Sequence, residues 1–297
     1  MRNLRCPLPL LALTLLAAFP SSLLAKDRVT ILYDAFSDSK EITKDWGFSA
    51  LVEHDGKRIL FDTGNNAAIF EHNVKALGVD LTNLDFVLIS HRHTDHTSGL
   101  KYLLKVNPSV PIYVPADGFN GFGGGSIPGA IFRPEISLPA KMRYYDGAPP
   151  SPVLIGRLYD AGDFRLVDKT TEVAPGIFLI FTVSKIPRTL ELPELTLALK
   201  GPNGLTFIDG CSHSGIEQIL SAATSIDPHF YILFGGLHLV TTPEPDIDTI
   251  VDHLKNKWKL PRIAPGHCTG EPAFLRLQRA YGENYVYAGA GTRIDLP

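Results

Sequence analysis

The stretch that decides the fold of this chain is FVLISHRHTDH, residues 86–96. Its first part, residues 86–90, is an apolar run of strand length and predicts a buried β-strand. Its second part, residues 91–96, places three imidazoles and a carboxylate within six positions, where the strand gives way to a turn. Imidazole nitrogens and carboxylate oxygens are donors that zinc takes in proteins, at about 2.0–2.2 Å. We interpret the cluster as a metal site; the alternative is a solvated polar turn that is rich in histidine.

Composition is typical of a globular protein. The chain has 297 residues, of which 44% are hydrophobic and 20% charged, and its formal net charge is −3 at pH 7. This length suffices for a sizeable core, and no linker-like stretch separates the two halves, so we predict one domain. Because no basic stripe interleaved with aromatic residues is present, we expect a small-molecule substrate and no nucleic acid as partner.

Residues 1–25 have the three-part pattern of a secretory signal peptide. A short positive segment with Arg2 and Arg5 precedes an apolar run, and small residues lead to a cleavage position after Ala25. An uncleaved membrane anchor is the alternative, but the apolar run is short for a membrane span. We therefore expect the mature domain, residues 26–297, to be exported to the periplasm or secreted, without stable membrane insertion.

Turn signals between apolar runs predict two sheets. Asp55-Gly56 is typical of a tight β-hairpin, and Gly-Pro-Asn-Gly at residues 201–204 indicates a second one. Hairpins and helices in both halves, without clean βαβ alternation, indicate an α+β fold in which two β-sheets pack face to face under outer helices. Helical spacing predicts helices over residues 66–77, 97–106, 216–223, 246–258 and 271–280.

Residues 116–152 differ in composition from the rest of the chain. Glycine and proline crowd this stretch, together with aromatic residues that include Phe119, Phe122, Tyr144 and Tyr145. Long loops in compact domains are usually functional or disordered, and the aromatic residues argue against disorder. We predict an ordered, lid-like loop whose aromatic side chains either contact a partly apolar ligand or anchor the lid to the core.

Three further histidines resemble the cluster in their placement. His213, His238 and His267 each lie in a turn after a predicted strand, next to small residues that let the backbone approach a ligand closely. We expect them near the cluster at residues 91–96. The remaining histidines are expected at ordinary surface positions: His54, His72, His229 and His253.

These motifs resemble the metallo-β-lactamase superfamily. The resemblance is carried by HRHTDH at residues 91–96 and DTG at 62–64. GCSH at residues 210–213, GGLH at 235–238 and PGHCTG at 265–270 are similar to a subgroup commonly named 7,8-dihydropterin-6-yl-methyl-4-(β-D-ribofuranosyl)aminobenzene 5'-phosphate synthase. The resemblance implies an αββα sandwich with its metal site in a cleft along one edge of the paired sheets.

The resemblance also implies a ligand set for two divalent ions. We take these ions to be zinc, although manganese and iron suit the same donors. An aspartate behind the ligands, here Asp62, is implied to orient them. The implied ligands are His91 and His93 for the first ion, and Asp95, His96 and His267 for the second.

This chain departs from the superfamily pattern in two places. No histidine occurs between His96 and His213, so we expect His213 to supply the third ligand of the first ion. The position of the usual bridging aspartate holds Cys211, so Cys211 or, one alternating step away, Asp209 is expected near the metals. Cys211 and Cys268 could form a disulfide, supply a thiolate ligand or remain buried thiols, and the sequence leaves these alternatives open.

The implied ligands predict hydrolytic chemistry. Zinc lowers the pKa of a bound water from about 15.7 to about 7, so that a metal-bound hydroxide is available at neutral pH. We expect Asp95 to orient this hydroxide and His238 to act as a substrate-facing acid or hydrogen-bond donor, unless it is a structural histidine. The predicted function is hydrolysis of a small ester, lactone or phosphodiester. The alternatives are the transferase that the subgroup name implies and a non-catalytic metal-binding protein on the same fold.

Overall fold

In the computed structural model of the chain, the described residues are 27–116, 125–127, 132–149, 153–155, 162–187 and 189–297. The predicted signal peptide, residues 1–25, lies outside them, as do Phe119 and Phe122 of the predicted lid. Within these ranges, no helix combines the length and the apolar character that crossing a membrane requires.

The described residues form strands and helices that include both predicted hairpins and an α-helix overlapping each predicted helical stretch. The strands are β1 Arg28–Tyr33, β2 Ser49–His54, β3 Lys57–Phe61, β4 Phe86–Leu88, β5 Pro111–Pro115, β6 Gly125–Ile127, β7 Val153–Ile155, β8 Asp163–Val167, β9 Thr171–Ala174, β10 Ile177–Val183, β11 Pro193–Gly201, β12 Gly204–Asp209, β13 Phe230–Gly236, β14 Arg262–Gly266 and β15 Arg293–Asp295. The helices are α1 Ala67–Ala76, α2 Thr94–Thr97, α3 Leu100–Val106, α4 Ile216–Ala223, α5 Glu244–Asp252 and α6 Glu271–Tyr281.

The strands form two mixed sheets, as predicted. The first has the order β15-β1-β2-β3-β4-β5-β8, and the second has the order β14-β13-β12-β11-β10-β9. Both predicted hairpins are present, since β2 pairs with β3 and β11 with β12 in antiparallel register. In a separate two-stranded sheet, β6, which lies inside the predicted lid stretch, pairs with β7, which directly follows that stretch.

Some elements differ from the prediction for physical reasons. The predicted helix over 246–258 is α-helical only to Asp252 and continues as a wider turn of π-helix, His253–Lys257. Strands β8 and β15 carry no clear sequence signal, because β8 is a largely exposed edge strand and β15 has only three residues. Edge strands lack the buried apolar run on which sequence patterns depend.

Three apolar layers hold the sandwich together. Phe48 and Phe234 belong to a cluster that fills the space between the sheets. Phe70 of α1 and Leu103 of α3 cover the outer face of the first sheet. Ile219 of α4 belongs to the layer that packs α4, α5 and α6 on the outer face of the second sheet. This is the predicted αββα sandwich.

Strand direction places the candidate site. Strands β3 and β4 are parallel in the first sheet, and β12, β13 and β14 are parallel in the second. Their carboxyl ends emerge at one rim of the sandwich, where ligands commonly bind in sheets with parallel strands. The sheets are joined at this rim by a hydrogen bond of 2.8 Å from the Leu195 backbone N–H to the Ser90 carbonyl.

Candidate metal centre

Three histidine rings from two distant turns converge at the rim. The Nε2 atom of His91 lies 3.0 Å from Nδ1 of His93 and 3.2 Å from Nε2 of His213. His91 and His213 are buried, and His93 is partly exposed. A neutral imidazole carries one ring proton, so a single proton on His91 Nε2 cannot satisfy both facing nitrogens. A shared cation at this point would use all three lone pairs.

A second group of atoms that could bind a metal ion lies beside the three histidine rings. The Oδ2 atom of Asp95 lies 3.4 Å from Nε2 of His267 and 3.8 Å from Nε2 of His96. His96 Nε2 is also 3.3 Å from Sγ of Cys211. Neither ring nitrogen of the buried His267 makes a hydrogen bond within the described residues. An imidazole buried in this way is expected to have a partner, and a metal ion would provide one.

Cys211 lies between the two groups. The donor atoms of two sets of residues fall within 4.8 Å of one another: His91, Cys211 and His213, and His96, Cys211 and His267. Cys268 is a free thiol, as is Cys211, so the disulfide alternative is not realised in the structure. Asp209 belongs to neither set; its carboxylate accepts a hydrogen bond of 2.5 Å from the Ser212 hydroxyl group. The cysteine is therefore better placed than Asp209 to reach a metal ion.

Asp62 sets the protonation of two histidines. Its carboxylate accepts the Ser90 hydroxyl proton at 2.7 Å, so the 2.9 Å contact between Ser90 Oγ and His91 Nδ1 needs a proton from the histidine. Asp62 also accepts from Nδ1 of His96 at 2.6 Å. In both rings the proton then resides on Nδ1, and the Nε2 lone pair faces the converging donors.

Glu194, which the sequence analysis missed, holds the turn that carries Cys211 and His213. It is fully buried, and its carboxylate accepts the backbone N–H groups of Cys211 and Ser212 at 3.1 Å each and of His213 at 2.6 Å. Its Oε1 atom also lies 3.7 Å from Nδ1 of His91. The only sequence signal was an isolated acid at the start of the apolar run of β11.

A second buried carboxylate supports His267. Asp34 is fully buried and accepts the backbone N–H of His267 at 3.0 Å. His267 has a φ angle of +45°, and Ser212 and His238 have angles of +60° and +50°. Non-glycine residues seldom adopt this left-handed conformation, and such strain concentrates at functional sites. The turns that carry the candidate ligands are thus held in unusual conformations by buried hydrogen bonds.

The electrostatics suit neutral imidazole ligands. Burial lowers the pKa of His91 and His213, and it lowers the pKa of His93 and of His267 to about 4. These rings are therefore neutral at pH 7, which is the form that binds metals. His96 differs: burial alone would lower its pKa, but the charges of Asp62 and Asp95 raise it.

Buried negative charge also fits cations. Hydrogen bonds to the buried carboxylates come from backbone N–H groups, serine hydroxyl groups and histidine rings, and among these donors only His96, whose pKa is raised, favours a positive charge. Burying unbalanced charge is costly, so protons or metal ions must compensate for it. The donor set and its charge therefore fit divalent metal ions. The buried carboxylates of the turns and strands that carry the candidate ligands are Asp34, Asp62, Asp95, Glu194 and Asp209.

His238 and the described part of the predicted lid contact different histidines of the centre. His238 is partly exposed, and its ring centroid lies 4.3 Å from that of His213. At His267, the Trp46 ring packs 4.7 Å from the histidine ring and contacts Tyr144, whose hydroxyl group donates to the His267 carbonyl. Because Tyr144 is fully buried, it anchors the lid stretch to the core. Four histidines contact other groups, as expected of non-ligands: His54, His72, His229 and His253.

Comparisons with known proteins agree with this geometry. The sequence model described as Metallo-beta-lactamase superfamily matches residues 42–181. A crystal structure described as a metal-dependent hydrolase of the β-lactamase superfamily is 25% identical with a TM-score of 0.68, and the match covers 91% of this chain and 99% of that one. This chain belongs to the metallo-β-lactamase superfamily, as its motifs predicted.

Within the superfamily, the chain is similar to two proteins of Methanocaldococcus jannaschii. One is named 7,8-dihydropterin-6-methyl-4-(beta-D-ribofuranosyl)-aminobenzene-5'-phosphate synthase; it is 27% identical over 84% of this chain and 90% of its own length. The other is an uncharacterised protein, 26% identical over 84% of this chain and 93% of its own length. The resemblance to the synthase subgroup therefore extends over most of the chain.

Proposed function

We propose that this chain is a metal-dependent hydrolase that acts on a small ester, lactone or phosphodiester. The observation that carries the proposal is the convergence of ring nitrogens from His91, His93 and His213 beside the donors of Asp95, His96 and His267. Bound divalent ions, which we take to be zinc, would activate water and polarise the scissile carbonyl or phosphoryl group.

In this reaction, different residues would bind the metal ions, orient the attacking water and contact the leaving group. His91, His93 and His213 would hold the first ion, and Asp95, His96 and His267 the second, with the Cys211 thiol between them. A carboxylate oxygen of Asp95 would also orient the attacking water by accepting one of its protons in a hydrogen bond. His238 lies beside His213 and is partly exposed. Because burial lowers the pKa of His238, the ring would be neutral at pH 7 and would donate a hydrogen bond to the leaving group.

A second candidate is the transferase reaction of the synthase subgroup. It is supported by the 27% identity to the named synthase over 84% of this chain. That reaction joins a pterin diphosphate to an aminobenzene ribotide, so two sizeable substrates must bind together. The cavity beside His213 and His238 has a volume of about 290 Å³, near the lower end of about 300–1,000 Å³ for ligand pockets. This size supports a single small substrate and hence the hydrolase.

A substrate panel tests the proposal. The protein, loaded separately with zinc, manganese or iron, is assayed with nitrophenyl esters, a lactone and bis-nitrophenyl phosphate, and in parallel with pterin diphosphate plus the ribotide. We expect metal-dependent turnover of one hydrolytic class, abolished in His91→Ala. Condensation without hydrolysis would establish the transferase instead. Full metal content with no turnover of any substrate would favour a non-catalytic metal-binding protein.

We also propose that the protein is exported. The proposal is supported by the pattern of residues 1–25, with cleavage after Ala25. In cells that express the full chain, the soluble exported fraction is expected to contain a protein that begins at Lys26. N-terminal sequencing and intact mass measure this directly, and an uncut chain in the membrane fraction would support the anchor alternative.

A further inference from the structure

A cavity of about 290 Å³ opens directly beside the candidate metal centre, on the side of His213 and His238. Six apolar residues contribute to its wall: Ile186, Pro187, Ile216, Leu237, Leu239 and Ile250. The polar side chains of the described lining are the two histidines, Ser212 and threonines, with no lysine, arginine, aspartate or glutamate among them. The cavity is therefore apolar over most of its wall and polar mainly where it meets the metal centre.

Hydrogen bonds connect the apolar wall of the cavity to His213, a candidate metal ligand. The Ser184 hydroxyl group donates to the His213 carbonyl at 2.7 Å and accepts the backbone N–H of Ile186 at 3.1 Å. The Ile186 side chain is 45% exposed, which is unusual for a large apolar group, and its Cδ1 atom lies close to Gly215. An apolar side chain left exposed at the mouth of a cavity gains contacts when an apolar ligand enters.

We infer that this cavity binds the uncharged, apolar part of the substrate, a short acyl, alkyl or aryl group, while the scissile group lies at His213. The inference rests on the proposed function and narrows it to a substrate class. A charged or strongly polar group placed against the apolar wall would lose its water without gaining partners there. An apolar group gains roughly fourfold in affinity for each buried methylene.

The size of the cavity sets a limit on the group. A water molecule takes up about 30 Å³ in the liquid, so the cavity has room for roughly ten groups of that size. The gain in affinity with chain length should therefore stop once the cavity is filled. A ribose phosphate would bring a charge and several hydroxyl groups to a wall that offers them few partners.

Ligand binding tests the inference without relying on turnover. Straight-chain carboxylates from acetate to decanoate are titrated into the metal-loaded protein by calorimetry, with ribose 5-phosphate as the polar comparison. We expect the affinity to rise by about fourfold per methylene, to level off as the cavity fills, and to exceed that for ribose 5-phosphate. A flat series, or tighter binding of ribose 5-phosphate, would overturn the inference.

Two variants of cavity residues test whether the dependence of affinity on chain length arises in this cavity. Thr241 is exposed and lines the cavity, so Thr241→Trp should fill its mouth and abolish the gain with chain length. Thr224→Trp, at an exposed threonine elsewhere, is the matched control. Ile186→Ser should weaken the binding of longer chains, and Leu166→Ser, at a side chain of the edge strand β8 that is 66% exposed, should leave it unchanged. Length-dependent binding that survives both cavity variants would place the ligand elsewhere and refute the inference.

The outcomes also separate this inference from the proposed function. Chain-length dependence that Thr241→Trp abolishes, without hydrolysis of any ester, lactone or phosphodiester, would retain the apolar cavity and reject the hydrolase. Hydrolysis with affinities indifferent to chain length would retain the hydrolase and reject the apolar cavity.

Discussion

The carboxylate of Glu194 accepts the backbone N–H of His213 at 2.6 Å, although Glu194 lies at the start of β11 and His213 in the turn after β12. Two further backbone N–H groups, those of Cys211 and Ser212, donate to the same carboxylate. The buried Glu194 thus fixes the backbone of the turn after β12, which carries the candidate metal donors Cys211 and His213.

Glu194→Gln should weaken metal binding. The amide replaces one acceptor oxygen with an NH₂ group, which would face a backbone N–H and break at least one hydrogen bond of the turn. Loss of a group that orients ligands typically lowers metal affinity by about 10- to 100-fold. Competition with a chromophoric chelator measures the affinity. Glu191→Gln, at an exposed acid of the preceding loop, is the control, and equal affinities in the two variants would contradict the role of Glu194.

His213→Ala and His238→Ala should separate binding from turnover. His213 faces the other ring nitrogens, so its loss should lower the metal content by about one ion per chain. His238 lies beside the group without joining it, so its variant should keep the full metal content and lose turnover by about 100-fold or more. Elemental analysis and steady-state rates measure the two quantities. Unchanged metal content in His213→Ala would refute its assignment as a ligand.

Cys211→Ala and Cys268→Ala should differ when the protein is loaded with cobalt. Cys211 Sγ is 3.3 Å from His96 Nε2, whereas Cys268 Sγ lies 3.7 Å from the Cys211 carbonyl, to which it donates. A thiolate bound to cobalt gives a charge-transfer absorption in the near ultraviolet. We expect this band in the wild type and in Cys268→Ala, and its loss in Cys211→Ala. A wild type without the band would leave Cys211 as a buried thiol.

The sequence predicted those parts of the site that are local in the chain. The HRHTDH turn follows a recognisable apolar strand, and His213, His238 and His267 stand out because glycine and other small residues surround them after strands. The sandwich was predictable for the same reason, since hairpin turns and helical spacing are short-range patterns.

The supporting carboxylates could not be predicted in this way. Asp34 binds the backbone N–H of His267, 233 positions away, and Glu194 binds a turn 17 to 19 positions further along the chain. Backbone N–H groups carry no residue-specific signal, so nothing in the sequence indicates that they need an acid as partner. The choice between Cys211 and Asp209 depended likewise on which side chain the strained turn directs towards the histidines.

The acid dependence of stability should reveal an ion-paired carboxylate that belongs to neither group of candidate metal ligands. Glu217 on α4 accepts hydrogen bonds from Lys257 at 2.8 Å and from the Trp258 indole at 2.9 Å, and it contacts His253. Partial burial alone would raise the pKa of Glu217, but these three partners lower it to about 2. Since the unfolded value is about 4.3, the folded state binds this proton less readily than the unfolded state.

Glu217 should therefore stabilise the fold at neutral pH and progressively less in acid. Its contribution is fully present above about pH 5 and declines as the pH falls through about 4 towards about 2. We expect Glu217→Gln to be less stable than the wild type at pH 7, with the difference shrinking below about pH 4. Urea denaturation of the metal-stripped proteins at several pH values measures this difference, and removing the metal prevents its acid release from adding a second pH dependence. Glu283→Gln, at an exposed acid, should show no such trend, and a wild-type advantage that stays constant down to pH 3 would mean that the pKa of Glu217 is not lowered.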